Sequence, residues 1–224
     1  MFRDRADAGE RLGKMLLAYA DCEDVTVLGL PRGGVPVAFE IARQLRAPLD
    51  VLLVRKVGAP GQAELAMGAI ASGVTILDHQ LIRHLKIGEQ QLASILAKEK
   101  EELLRREQLY SDVRRVAPIE NRCVVVVDDG IATGASMLAA VAVLRPQHPA
   151  RIIVAVPVAP YPAERQIKAV VDEFVCLQVS DDFPAVGSFY QDFSQLEDEN
   201  VRSLLSRSTH FADPNFERGD IDID

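Results

Sequence analysis

One segment constrains the fold of this chain more than any other. It runs from Val124 to Ser136 and reads Val-Val-Val-Val-Asp-Asp-Gly-Ile-Ala-Thr-Gly-Ala-Ser. Consecutive β-branched apolar residues leave no polar face, so they predict a strand buried on both sides, as in parallel sheets. The strand ends in two adjacent carboxylates, Asp128 and Asp129. A small-residue loop follows, and then an apolar helix from about Ser136 to Leu144. Open α/β sheets bind ligands at the carboxyl ends of their strands, where the next helix begins. A helix start favours anions through its free N–H groups and its dipole. The segment therefore offers an anion cradle beside two acids, which suits a ligand carrying both a phosphate and a diol, such as a sugar phosphate.

The rest of the chain repeats the strand–helix alternation. Helices are predicted from Ala6 to Ala20, on the spacing of Leu12, Met15, Leu16 and Tyr19, and from Val35 to Leu45. Val25 to Leu30, Leu49 to Val54, Arg151 to Val158 and Phe174 to Val179 are apolar runs of strand length. Residues 55–68 concentrate Gly58, Pro60 and Gly61 and read as a flexible loop. A strand or hairpin around Ser72-Gly73 follows, and Asp78 is placed to cap a helix towards Leu85. Glu89 to about Val113 predicts a long helix with an apolar stripe of Leu92, Ile95, Leu96, Leu103 and Leu104. The run Lys98-Glu99-Lys100-Glu101-Glu102 reads as its solvated face. Pro162 to Val171 is a further helix. Alternating strands and helices specify an α/β fold with a central parallel sheet flanked by helices, one domain over residues 1–224. From about residue 180 to 210 the pattern becomes an aromatic-rich segment with a short helix near Glu197 to Leu205. The acidic tail after Pro214 is expected to fray.

Composition excludes several classes. A net charge of −8 opposes general nucleic-acid binding, which needs a basic footprint. No apolar run approaches a membrane span. The opening Met-Phe-Arg-Asp-Arg is too charged for a secretory leader. Cys22, Cys123 and Cys176 are odd in number, far apart and without metal-type spacing. Cys123 and Cys176 sit in apolar strand-like contexts, as buried thiols in a reducing cytoplasm do. His79, His84, His148 and His210 form no metal-ligand set, so no protein-held metal is expected.

The Val124–Ser136 segment resembles the phosphoribosyl pyrophosphate signature of the type I phosphoribosyltransferases: apolar residues, two acids, two apolar residues, and a loop ending in Thr-Gly-x-Ser/Thr. The resemblance implies a Rossmann-like sheet with a small C-terminal hood. It puts the ribose hydroxyls on Asp128 and Asp129, and the 5′-phosphate on Ala132, Thr133, Gly134, Ala135 and Ser136. Gly130 departs from the family's branched apolar residue, and a glycine there loosens the loop's first turn. Leu30-Pro31-Arg32-Gly33-Gly34 resembles the family's pyrophosphate loop, with Arg32 facing the pyrophosphate and Gly33 and Gly34 presenting amides. Val54-Arg55-Lys56-Val57-Gly58-Ala59-Pro60 resembles the Arg-Lys-x-Gly-x-x-Pro stretch of adenine-type members, with Pro60 one residue early. By that resemblance Arg55 and Lys56 oppose the leaving pyrophosphate, the 55–68 loop closes over the site, and Glu64 is a candidate for proton removal from the incoming base. Ala132 stands where hypoxanthine-type members carry Asp.

The hood segment Phe183 to Phe193 resembles the hypoxanthine-type hood, with its acid one residue late. Phe183 and Val186 would flank a planar base and Asp192 would accept from its N–H groups. The implied reaction moves the 5-phosphoribosyl group to a nucleobase nitrogen and releases pyrophosphate. Magnesium would arrive chelated by the substrate, and homodimers are common in the family. Three other readings compete. A strand-borne phosphatase would need Asp-x-Asp, and here the acids are adjacent. A sensor of phosphoribosyl pyrophosphate or nucleotide that regulates nucleic acid would need a basic face. A scaffold that kept only the fold would need neither the acid pair nor the phosphate loop.

Overall fold

The structure is a computed structural model that describes residues 1–20, 22–114, 116–211 and 213. The tail after Pro214 lies outside the described residues, as do the side chains of Ala63 and Glu64. Helix α1 (Arg5–Met15) leads through a 3-10 turn to strand β1 (Val25–Gly29), helix α2 (Gly34–Leu45) and strand β2 (Leu49–Val51). Strands β3 (Arg55–Ala59), β4 (Gln62–Ala71) and β5 (Val74–Leu77) come next, then helices α3 (His79–His84) and α4 (Glu89–Tyr110). The remaining elements are β6 (Cys123–Val127), α5 (Ala135–Leu144), β7 (Arg151–Pro160), α6 (Tyr161–Lys168), β8 (Glu173–Ser180) and α7 (Asp198–Arg207).

The main sheet is parallel, in the order β2-β1-β6-β7-β8. Its centre is β6, whose valines are all fully buried. Val125 and Val127 face Leu12 of α1, Ile41 and Leu45 of α2 and Val201 of α7. Val124 and Val126 face Met137 and Leu144 of α5 and Ile167 of α6. Burying each such side chain is worth roughly 1.5–3 kcal/mol. A one-residue slip would move every side chain, and the acids that follow, to the opposite face, so the valine run fixes where Asp128 and Asp129 point. Gly29 of β1 pairs with Val127, and Val127 pairs with Ala155 of β7. The turns after β1 and β6 therefore leave the sheet side by side.

Residues 55–68, expected as a loop, are instead mostly an antiparallel hairpin of β3 and β4. Val57, Ala59, Met67 and Ala69 bury an alternating face that the glycines and proline obscured. Those signals mark only the turn, where Gly61 takes φ +73°. With β5 the hairpin forms a second sheet, and its Ala69 and Ala71 pack on Ala139 and Val143 of α5. Two expectations for α4 are also corrected. Leu104 is 57% exposed and leaves the stripe, because it lies a further 100° or so round the helix from buried Leu103. Glu99, placed on the solvated face, turns inward to Arg55. Cys123 is buried and Cys176 half-buried, and desolvation pushes both thiols up to about 11. Among the described residues no helix is long and apolar enough to cross a membrane.

Candidate active site

The turns after β1 and β6 meet in direct contact. The Leu30 amide donates to the Val127 carbonyl at 2.8 Å. A Cβ on Gly34 would stand 2.5 Å from the Val127 carbonyl oxygen and 2.8 Å from the Asp128 Cα, and one on Gly33 would overlap the Asp129 carboxylate. Glycine is required at both positions because backbone and carboxylate occupy the space a side chain would need. The Arg-Gly-Gly loop and the acid pair are thus one construction.

Beyond the acids, the Ile131 amide donates to the Val158 carbonyl, which pins the loop to β7. Gly134 takes φ +83° and caps α5, and the Thr133 hydroxyl reaches the Ala135 amide at 3.4 Å. Ala132, Thr133 and Ser136 are exposed. The first turn of α5 therefore points its amides, which have no partner within the helix, at an open polar loop. Gly130 does not loosen this turn. The Val186 side chain fills its place, since a Cβ there would lie 2.5 Å from one Val186 methyl and 2.8 Å from Val158.

The two acids face different neighbours. Asp128 lines a cavity of about 150 Å³ at the strand ends, together with Pro31, Lys56, Arg106 and Ser136. Its carboxylate accepts from the Asp129 amide at 2.9 Å. Burial, and after it the charge of Asp129, raise its pKa well above the ordinary value. Asp129 instead receives Nε of Arg5, from the first turn of α1, at 2.8 Å, with both side chains largely buried. Burial raises its pKa too, and the Arg5 hydrogen bond and charge oppose that rise. Tyr190 in the hood donates its hydroxyl to the Asp129 carbonyl at 2.6 Å.

The other expected residues are placed as follows. Lys56 is half-buried on the cavity wall. Arg32 is exposed, 3.9 Å from Glu197 at the start of α7. Arg55 is not on the cavity wall, because Glu99 of α4 holds its guanidinium at 2.6 and 2.8 Å. Glu64 belongs to β4, and its side chain lies outside the described residues. Phe183 and Val186 pack into an apolar cluster with Phe2, Val158 and Tyr190. Asp192 is exposed and accepts from the Ser194 amide at 2.9 Å. Sequence reasoning missed Arg5 and Arg106. The first sat in a charged opening read only as excluding a leader. The second is bonded to Glu102 one helical turn earlier, a spacing that reads as a surface pair. Arg105 and Arg106 hold the Glu102 carboxyl down at about 2.

Since Arg55 ties the β3–β4 hairpin to α4, Arg55→Gln should cost about 1 kcal/mol of stability. Lys56→Ala should impair ligand binding more than it does. Chemical denaturation and calorimetry on the two variants compare these effects.

A helix-flanked parallel sheet whose adjoining strand ends carry a glycine loop, an acid pair and a helix start defines an α/β domain of Rossmann-like architecture. Residues 3–194 match the phosphoribosyl transferase domain family, and the chain belongs to that family. It is 43% identical over 209 residues to proteins of two Mycobacterium tuberculosis strains, provisionally named as phosphoribosyl transferases. That match covers 93% of this chain and 47% of theirs, so the chain spans about half the length of these curated relatives. The crystal structure of TT1426 from Thermus thermophilus is 45% identical, with a TM-score of 0.85, over 92% of this chain and 98% of that one.

Proposed function

We propose that the chain transfers the 5-phosphoribosyl group of phosphoribosyl pyrophosphate to a nucleobase nitrogen and releases pyrophosphate. The observation that carries this reading is the contact between the Arg-Gly-Gly turn and the acid pair. It brings an amide-rich loop, two carboxylates and the α5 start to adjacent strand ends.

In this reading the α5 amides, Thr133 and Ser136 hold the 5′-phosphate. The Asp128 carboxylate and the second oxygen of Asp129 accept from ribose hydroxyls, and ionised acceptors make the stronger bonds. As the bond at C1′ lengthens, negative charge grows on the leaving pyrophosphate. Lys56 and Arg106 on the cavity wall, and Arg32 next in sequence to Pro31 of that wall, oppose that charge. Among the described residues no three His, Cys, Asp or Glu side chains gather to hold a metal. The cavity's hard oxygen donors, the Asp128 carboxylate and Ser136 hydroxyl, fit a magnesium ion brought in on the diphosphate. Such an ion would supply charge neutralisation to the leaving group. Phe183, Val186 and Asp192 in the hood are the proposed contacts of the base, and the cytoplasm the proposed compartment.

The test is incubation with magnesium, phosphoribosyl pyrophosphate and a panel of purines and pyrimidines, with products identified by mass. A ribosylated base together with pyrophosphate is the expected result. Binding of phosphoribosyl pyrophosphate without turnover on any base would replace transfer with sensing. No binding at all would overturn the phosphoribosyl reading.

A further inference from the structure

The cation bonded to Asp129 comes from the far end of the chain rather than from the phosphate loops. Arg5 donates through Nε to Asp129 Oδ2 at 2.8 Å and through Nη1 to the Ser194 carbonyl at 3.0 Å. Its guanidinium lies 3.9 Å from the centre of the Phe193 ring, and its side chain is only 11% exposed. The Tyr190 hydroxyl fixes the Asp129 backbone from the same side. Around this core, the Phe2 amide donates to the Phe189 carbonyl, and the Gln191 and Asp192 amides donate to the Phe2 and Arg3 carbonyls. The first residues of the chain and the hood therefore grip each other and Asp129 together. So many fixed bonds leave the guanidinium little freedom to swing away.

We propose that Arg5 is a positioning residue that holds the Asp129 carboxylate aimed for the ribose hydroxyls, so that the N-terminal segment and the hood form part of the sugar site. This rests on the phosphoribosyl reading above. One carboxylate oxygen is committed to Arg5, and the other stays available as an acceptor. Burial disfavours the charge on Asp129, and the Arg5 hydrogen bond and charge oppose that. The groups facing Asp129 are Asp128 on its own turn, Arg5 on α1 and the Tyr190 hydroxyl from the hood. Asp4 and Asp192 lie further out, near Tyr190 and Arg5 respectively.

The test is calorimetric titration of magnesium–phosphoribosyl pyrophosphate into the wild type, Arg5→Gln, Arg5→Lys and Phe193→Leu, with a thermal melt of each. Removing a partner that orients a ligating group costs on the order of tenfold in affinity, the loss expected for Arg5→Gln. Arg5→Lys should recover only part of that affinity, since it keeps the charge and loses the planar fork. Phe193→Leu, which removes the ring beneath the guanidinium and keeps every charge, should weaken binding in the same direction by less.

A wild type that does not bind overturns the phosphoribosyl reading, and this role with it. A wild type that binds, with Arg5→Gln binding equally well or more tightly, overturns the role of Arg5 alone. So does an Arg5→Lys that melts like the wild type and binds no better than Arg5→Gln.

Discussion

Asp128→Asn should bind magnesium–phosphoribosyl pyrophosphate about 10–100-fold more weakly than the wild type while melting no lower. The two halves of that result come from one cause. The Asp128 carboxylate lines the cavity but is stripped of water and stands beside a second acid, so its folded pKa lies above the ordinary 3.8. A carboxyl whose pKa is raised on folding binds protons more tightly in the folded state, and its ionisation destabilises the fold. At pH values above the folded pKa that penalty is fully present. It shrinks as pH falls through the folded pKa and is gone below the unfolded one. Asparagine keeps the oxygen that accepts from the Asp129 amide and carries no charge, so it removes the penalty. The melting advantage of the variant should therefore be greatest above the folded pKa and fade on acidification. What asparagine cannot supply is a charged acceptor for a hydroxyl, a bond worth about 1.5–3 kcal/mol.

Asp129→Asn makes the contrast. It leaves Arg5 largely buried with its carboxylate gone, and breaking such a pair costs about 3 kcal/mol. Adjacent acids in one motif should thus move stability in opposite directions. Melts of both variants between pH 5 and 8, with calorimetry at one pH, measure this. Wild-type affinity in Asp128→Asn would remove it from the ribose site.

That contrast could not be foreseen from the chain. The alternation of the main-sheet strands with their helices, the buried valine strand and the small-residue loop before α5 were all legible, because each rests on neighbours in sequence. The Val124–Val127 run has one way to be buried. What remained hidden depends on partners far along the chain. Arg5 and Asp129 are separated by 124 residues, and Arg55 and Glu99 by 44. Nothing in the alternation of apolar residues records which carboxylate a given arginine meets. The β3–β4 hairpin was obscured for a different reason. Its glycines and proline speak for a loop, and the burial of Val57 and Met67 that opposes them is tertiary. Gly130 shows the converse, a local departure made harmless by Val186 across the fold.

The largest effect on the architecture of the site should come from a single methyl group at Gly34. Alanine normally improves a helix by up to about 1 kcal/mol over glycine, and Gly34 opens α2 with φ outside the left-handed region. Local propensity therefore predicts that Gly34→Ala stabilises the protein. Tertiary contact predicts the reverse and wins. The new carbon would lie 2.5 Å from the Val127 carbonyl oxygen and 2.8 Å from the Asp128 Cα. Both are backbone atoms of the central strand's end and cannot rotate aside. Relief requires the Arg-Gly-Gly turn to separate from the acid pair, against the Leu30-to-Val127 hydrogen bond. Overpacking of this kind costs about 1–3 kcal/mol, which for a chain of this size lowers the melting temperature by roughly 2–12 °C. Displacing one half of a site by about an ångström costs on the order of 100-fold in function, so binding of magnesium–phosphoribosyl pyrophosphate should fall by about that factor. Gly88→Ala is the matched control, because its φ is −72° and nothing lies within 4 Å of its new carbon. It should leave both melting and binding unchanged. Wild-type affinity in Gly34→Ala would mean that the two turns need not touch for the ligand to be held, and the contact on which the functional reading stands would lose its meaning.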